Sequence, residues 1–199
     1  MRFSNIWRKM DCIVNEVYRY VKKMIKGERL IHSIGVAIYA DYLCERFGQQ
    51  GKSCFIAGLA HDVARELEGD EMIAHAARYS GEAEELEKSR PILLHGKAGA
   101  FLLRRDLGIM DSDILEAVAW HVTGRPGMSL TEKCVFIADY FAPDREFIEE
   151  SERLMITNQD IDRLMIFVLE RTFDYLKREG KDVAYTALSL YKELKGVQS

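Results

Sequence analysis

The chain carries no C-x-x-C pair: Cys12, Cys44, Cys54 and Cys134 are far apart, each among apolar neighbours of an expected helix. That pattern excludes a disulfide framework of the small-secreted-domain kind and predicts free thiols in a reduced, cytoplasmic setting. No apolar run approaches membrane-spanning length, and the start MRFSNIWRKMDC lacks both an uninterrupted apolar core and a small-residue cleavage site. A soluble, non-exported protein is therefore expected. No segment alternates with β period, repeats or falls to low complexity. An overall positive charge is missing too: the net charge is -4 and the pI about 5.8, so nucleic acid and anionic lipid exert no overall attraction. Any polyanionic substrate must be met by a local cationic site. Basic charge does concentrate at the start, where residues 1–30 hold eight Lys/Arg against three Asp/Glu.

What is present is a helical pattern. With 199 residues and 48% hydrophobic side chains, one domain with a continuous core is expected. Phe3, Ile6, Trp7, Met10, Val14, Val17, Tyr18, Val21, Met24 and Ile25 recur at spacings of three and four, predicting an amphipathic helix over 4–26 closed by Gly27. Further helices are expected over 28–47, 53–66, 69–80 and from Pro91 to Gly108. Another follows Asp111 or Ser112, and one begins at the capping box Ser129/Glu132. Residues 158–178 and 182–195 complete the set, and Gly124 to Gly127 must be a loop. The fold class is all-α, a bundle with short connections.

Only five histidines occur, and four fall into the series His32, His61-Asp62, His95, His121, followed by Asp139. Each member belongs to a different expected helix, so the set converges only in a folded bundle. A lone helical histidine is usually a packing residue, but the His-Asp doublet changes that weighing. A carboxylate has two oxygens and can bridge two cations. With Asp62 as the bridge, His32, His61 and Asp139 complete one site, and His95 with His121 the other. Imidazole and carboxylate ligands without thiolate suit iron or manganese better than closed structural zinc. Two such cations clamp a phosphoryl group and generate a metal-bridging hydroxide near neutral pH, which gives a phosphohydrolase of phosphate esters or anhydrides. His75 has no partner at a suitable place and is assigned to a helix surface. Beside the ligands in sequence, Arg65, Lys97, Thr123, Arg125 and Arg145 are the candidate phosphate contacts, with Asp62, Arg65 and Arg125 as the catalytic set. A solvated or salt-bridged cation is the competing reading for each.

The strings HSIGVA (32–37), AGLAHDVARE (57–66), PILLHGKAGAFLL (91–103), WHVTGRPGMS (120–129) and FIADYFAPDRE (136–146) together resemble the YqeK-type HD-domain hydrolases, the symmetrical bis(5'-nucleosyl)-tetraphosphatase family. The resemblance covers roughly residues 15–195. It implies an HD-domain helical bundle with an added N-terminal amphipathic helix (1–27) packed on a metallohydrolase body (28–199) that ends in two C-terminal helices. It implies two divalent metals, iron first and manganese second, and His32, His61, Asp62, His95, His121 and Asp139 as ligands. The implied reaction is symmetric cleavage of diadenosine tetraphosphate (Ap4A) into two ADP. A dinucleoside polyphosphate is thus the expected partner, no stable nucleic-acid complex is expected, and monomer or homodimer is left open. Lys97 departs from the family, where proline is common. Rival readings are another HD-type nucleotidase or dNTPase, a cyclic-dinucleotide phosphodiesterase, and a non-catalytic nucleotide sensor. The basic N-terminal helix and the aromatics Phe167, Phe173 and Tyr175 are assigned to packing or dimer contact rather than to ligand binding.

Overall fold

The computed structural model describes residues 2–49 and 52–196, with side chains from Cys12 onward; the expected apolar positions Phe3, Ile6, Trp7 and Met10 lie outside the described side chains. The first helix, α1 (Arg2–Met24), lays Val17 and Val21 into the core, joined by Ile25 just beyond its end. Gly27 does more than close it. At φ +56 it makes the sharp reversal that only glycine adopts cheaply, and it is the first residue of α2 (Gly27–Arg46). The third helix, α3 (Ser53–Ala60), stops six residues short of the expected end at Glu66. Val63 and Ala64 are buried as the pattern requires, but the backbone tightens into turns, with Val63 N bonded to Ala60 O at 3.0 Å and Arg65 N to Asp62 O at 2.9 Å. His61 and Asp62 therefore stand at the exit of a helix, not inside one.

Helix α4 (Gly69–Ser80), the short α5 (Glu85–Ser89) and a 3-10 turn at Pro91–Leu94 lead into α6 (His95–Leu107). Asp111 caps α7 (Ser112–Trp120) by accepting from Asp113 N at 2.9 Å. Ser129 and Glu132 form the expected capping box of α8 (Leu130–Tyr140). Two short turns, α9 (Glu150–Arg153) and α10 (Met155–Asn158), precede α11 (Ile161–Arg178) and α12 (Tyr185–Leu194). No strand occurs among the described residues, and no helix among them is long and apolar enough to cross a membrane.

The core gathers α2, α3, α7 and α8, with α1 against α3, α11 against α8 and α12 against α11. Fully buried Phe141, Leu43, Ile137 and Leu164 are each worth roughly 1.5–3 kcal/mol in removed apolar surface. A smaller cluster of Met72, Leu94 and Leu102 holds α4 to α6. Two glycines let helices approach closely. A Cβ on Gly58 would lie 2.8 Å from Ala37 Cα of α2, and one on Gly96 would lie 2.6 Å and 2.7 Å from the carbonyl oxygens of Val118 and Ala119 at the end of α7.

The cysteine expectation is corrected. Cys44 of α2 and Cys54 of α3 form a disulfide, their Cα atoms 6.5 Å apart, because the two helices pack directly on one another. Cys134 of α8 remains a buried thiol beside them, pushed up to about 12 by burial, while Cys12 is free and exposed.

Candidate metal centre

Each of the six expected ligands sits at or near a helix end facing one point. His32 lies in the second turn of α2, His61 and Asp62 follow α3, His95 opens α6, His121 follows α7 and Asp139 lies in the last turn of α8. Four of the five connections between these positions are long in sequence, so the bundle, not local geometry, creates the cluster. His75 is elsewhere, on α4, stacked on Phe101 with ring centroids 5.3 Å apart.

Three imidazoles are fixed in the same way. His61 Nδ1 lies 2.7 Å from the carbonyl of Gly58, His95 Nδ1 2.6 Å from that of Ile92, and His121 Nδ1 2.8 Å from that of Val118. A carbonyl only accepts, so each Nδ1 carries the proton and donates it three residues back. Arg65 Nη1 is also 3.2 Å from His95 Nδ1; two donors cannot bond, and the shorter carbonyl contact decides the tautomer. Every Nε2 then presents a bare lone pair to the centre. His61 Nε2 is buried without a hydrogen-bond partner. His95 Nε2 and His121 Nε2 face each other at 2.9 Å, and Asp62 Oδ1 lies 3.0 Å from the former and 3.8 Å from the latter.

Acceptors crowded in this way repel unless cations stand among them. His32, His61 and Asp139 bring one ligand atom each within 4.8 Å of one another, and so do His61, Asp62 and His121. His61 belongs to both groups, and Asp62 lies beside it, its Oδ2 3.6 Å from His61 Nε2 while Oδ1 meets His95. The donor set of four imidazoles and two carboxylates, with an orphaned buried nitrogen, fits divalent metal.

Burial disfavours the charged forms of His61 and His95, drawing His61 down to about 4 and His95 down as well. Both are neutral, ligand-competent imidazoles at pH 7. His32 goes the other way: burial would lower it, but its hydrogen bonds to the carboxylates of Asp139 and Asp144 outweigh burial and raise it. Burial alone would raise the carboxyls of Asp62 and Asp139, yet the adjoining histidines, together with Arg145 for Asp139, hold both far below the usual carboxylate range.

Two partners escaped the sequence reading. Asp144 accepts from His32 Nδ1 at 2.9 Å and so turns Nε2 toward Asp139. Arg29, three residues before His32 on α2, holds Asp62 Oδ2 at 2.6 Å. Asp144 stood in plain sight in the FIADYFAPDRE string; Arg29 gave no signal beyond its helical spacing.

Of the expected cations, Arg145 contacts Asp139 Oδ1 at 2.7 Å and Arg65 lies over His95. Both border a cavity of about 860 Å³ that opens beside His121 and Asp139. Lys97 and Arg125 do not line it. Lys97 is tied to Glu87 at 2.5 Å, Arg125 to Glu132 at 2.8 Å and Glu116 at 3.2 Å, and the two flank Trp120. Thr123 gives its hydroxyl proton to the carbonyl of Gly124 at 3.2 Å. α11 contributes Arg171 and Arg178 to the cavity instead, neither of which the sequence reading named.

The pattern of the HD-domain family matches residues 29–144, the stretch that contains all six ligands, Arg29 and Asp144. The chain belongs to the HD-domain family. Within it, the chain is 36% identical over 168 residues to the symmetrical bis(5'-nucleosyl)-tetraphosphatase of Bacillus subtilis, covering 84% of this chain and 90% of that one. It is 31% identical over 174 residues to the enzyme of the same description from Halalkalibacterium halodurans, covering 87% and 92%. A crystal structure described as a predicted HD superfamily hydrolase involved in NAD metabolism, from Clostridium acetobutylicum, superposes with a TM-score of 0.86 at 30% identity, covering 92% of this HD-domain chain and 97% of its own. The HD-domain bundle is thus the fold, with α1 and the pair α11 and α12 added around it.

Proposed function

We propose that this HD-domain chain hydrolyses Ap4A symmetrically to two ADP at a centre of two divalent cations, iron or, failing that, manganese, held by His32, His61, Asp62, His95, His121 and Asp139. The observation that carries this reading is the convergence of bare Nε2 lone pairs and carboxylate oxygens at 2.9–3.0 Å beside an arginine-bordered cavity. The likeness to tetraphosphatases over nearly the whole chain narrows a two-metal phosphohydrolase to this substrate. When bound, the cations supply Lewis-acid neutralisation of phosphoryl oxygens and a lowered pKa for water.

The chain's own groups do the rest. Asp144 and the three backbone carbonyls hold the four imidazoles by Nδ1, so that Nε2 is the atom each turns to the cluster. Arg29 holds Asp62 Oδ2 and so fixes the carboxylate with Oδ1 turned to His95, ready to serve as a ligand. Arg65, and Arg145 where it turns from Asp139 Oδ1, meet the phosphate oxygens on which negative charge develops. Lys97 and Arg125 reach phosphate only by giving up their present carboxylates, and in this arrangement they order the turn that carries His121. Water oxygen joins one inner phosphorus, the bridging P–O bond to the other inner phosphate breaks, and each product leaves as ADP.

Anion-exchange analysis of products from Ap4A, with metal content measured on the same sample, tests the reading. ADP as the sole product with about two metals per chain is expected. AMP plus ATP, or no turnover at full metal loading, would overturn it.

A further inference from the structure

The metal cluster accounts for the phosphate chain of a dinucleotide but for neither of its bases. The cavity beside it has aromatic walls that no packing demand explains. α11 buries Leu164 and Val168 against the core. Continuing at helical spacing, the same face presents Thr172 and Tyr175, which line the cavity; Tyr175 is 49% exposed. Phe173, on the other flank of the helix, is packed against Tyr191 of α12, ring centroids 5.5 Å apart, and Phe167 stacks on Phe141. Of the three aromatics expected to serve packing or dimer contact, Tyr175 is the one not packed into the core of this chain.

Across the cavity, Phe147 follows α8 and is 62% exposed. It is not loose, because its ring sits edge-on against Tyr140 at 5.7 Å, and that contact fixes the orientation of its free face. Two large exposed rings border one cavity, Tyr175 with Lys181 Nζ 5.5 Å from its centroid; with Arg171 and Arg178 in the same lining they match a ligand with a flat aromatic end and an anionic end. Arg171 is paired with Glu152; Arg178 bonds the carbonyl of Asp174 at 3.4 Å and has no carboxylate partner among the described residues. A volume of about 860 Å³ suits a nucleotide-sized guest.

We infer that Phe147 and Tyr175 form the nucleobase subsite, receiving the base of one nucleoside 5'-diphosphate half whose phosphates run toward Arg65 and Arg145. This deepens the proposed Ap4A reading and rests on it for the substrate, while the subsite is tested without turnover. The probes are ADP and inorganic pyrophosphate, which shares the anionic end and lacks the base. Their binding to the metal-loaded full chain is measured by titration calorimetry for the wild type, Phe147→Ala, Tyr175→Ala and Tyr175→Phe.

Loss of a stacking ring weakens ADP roughly five- to hundred-fold, whereas pyrophosphate affinity stays within about two-fold and Tyr175→Phe keeps ADP affinity. Equal weakening of both probes, unchanged ADP binding in the alanine variants, or no ADP binding to the wild type overturns the inference. Ap4A cleavage, followed separately, distinguishes the two failures. Cleavage with ADP affinity indifferent to the rings removes the subsite alone; ring-dependent ADP binding without cleavage removes the reaction alone.

Discussion

Three imidazoles are committed to their ligand form by backbone carbonyls, and that commitment has a cost in acid. His61 is drawn down to about 4 and His95 is lowered as well, burial being the first cause for both. In the unfolded chain each takes up a proton near 6.5. Between that value and about 4 the unfolded state therefore binds more protons, and stability falls as pH falls through the window. His32 opposes this in part. Its folded value is raised, so its contribution is present below 6.5 and is lost as pH rises through the folded value. Asp62 and Asp139, both depressed, lose their contribution only in stronger acid. For metal-free protein, His61 alone implies a loss of about 3 kcal/mol by pH 4. Urea melts from pH 7 to 4.5 should show the decline, and His61→Asn should flatten it; a wild-type midpoint independent of pH over that range would contradict the buried, neutral assignment.

At the level of helices, what was legible depended on whether the determinant is local. The caps at Asp111 and Ser129 and the stop at Gly108 were readable because each acts through groups at most five residues away. The end of α3 was not. Val63 and Ala64 keep the burial pattern of a continuing helix, while the chain turns to bring His61 and Asp62 to the centre. The disulfide was hidden for a similar reason: spacing does not reveal how closely α2 and α3 approach. That closeness rests on Gly58, and the matching approach of α6 to α7 rests on Gly96. In Gly96→Ala the added carbon meets backbone oxygens at 2.6 Å and 2.7 Å, which cannot rotate away. The helices must part, and His95 and His121 part with them. A cost of roughly 1–3 kcal/mol and a fall in metal affinity of about ten-fold or more are expected from urea melts and metal competition. Gly99→Ala is the contrast, since its added carbon meets only side chains, Val63 at 3.0 Å and Val118 at 3.4 Å, and should lose less of both. Equal metal affinity in the two variants would show that helix separation does not control the centre.

Over the whole molecule, the six ligands span His32 to Asp139 and come from α2, α6 and α8 and from the turns that follow α3 and α7. Their order and chemistry were visible in the sequence because residue type alone determines what can bind a cation. Arg29 and the α11 wall were not, because only the assembled bundle brings them to the ligands; Asp144 stood in the FIADYFAPDRE string, but only the fold ties it to His32. The same assembly would make metal a structural element. Cations bound here would tie together five segments whose acceptors otherwise repel, and they would bind the folded chain far better than the unfolded one. At a free concentration about a thousand-fold above Kd this linkage is worth about 4 kcal/mol. For a chain of this size that corresponds to a melting temperature about 10 °C higher. Calorimetric scans of metal-loaded and chelator-treated protein should differ by that order. His121→Ala, which removes one Nε2 from the crowded pair, should lose most of the difference. Coincident midpoints with and without chelator, at verified metal content, would mean that the convergence of acceptors is held by packing alone, and the two-cation reading would fall with it.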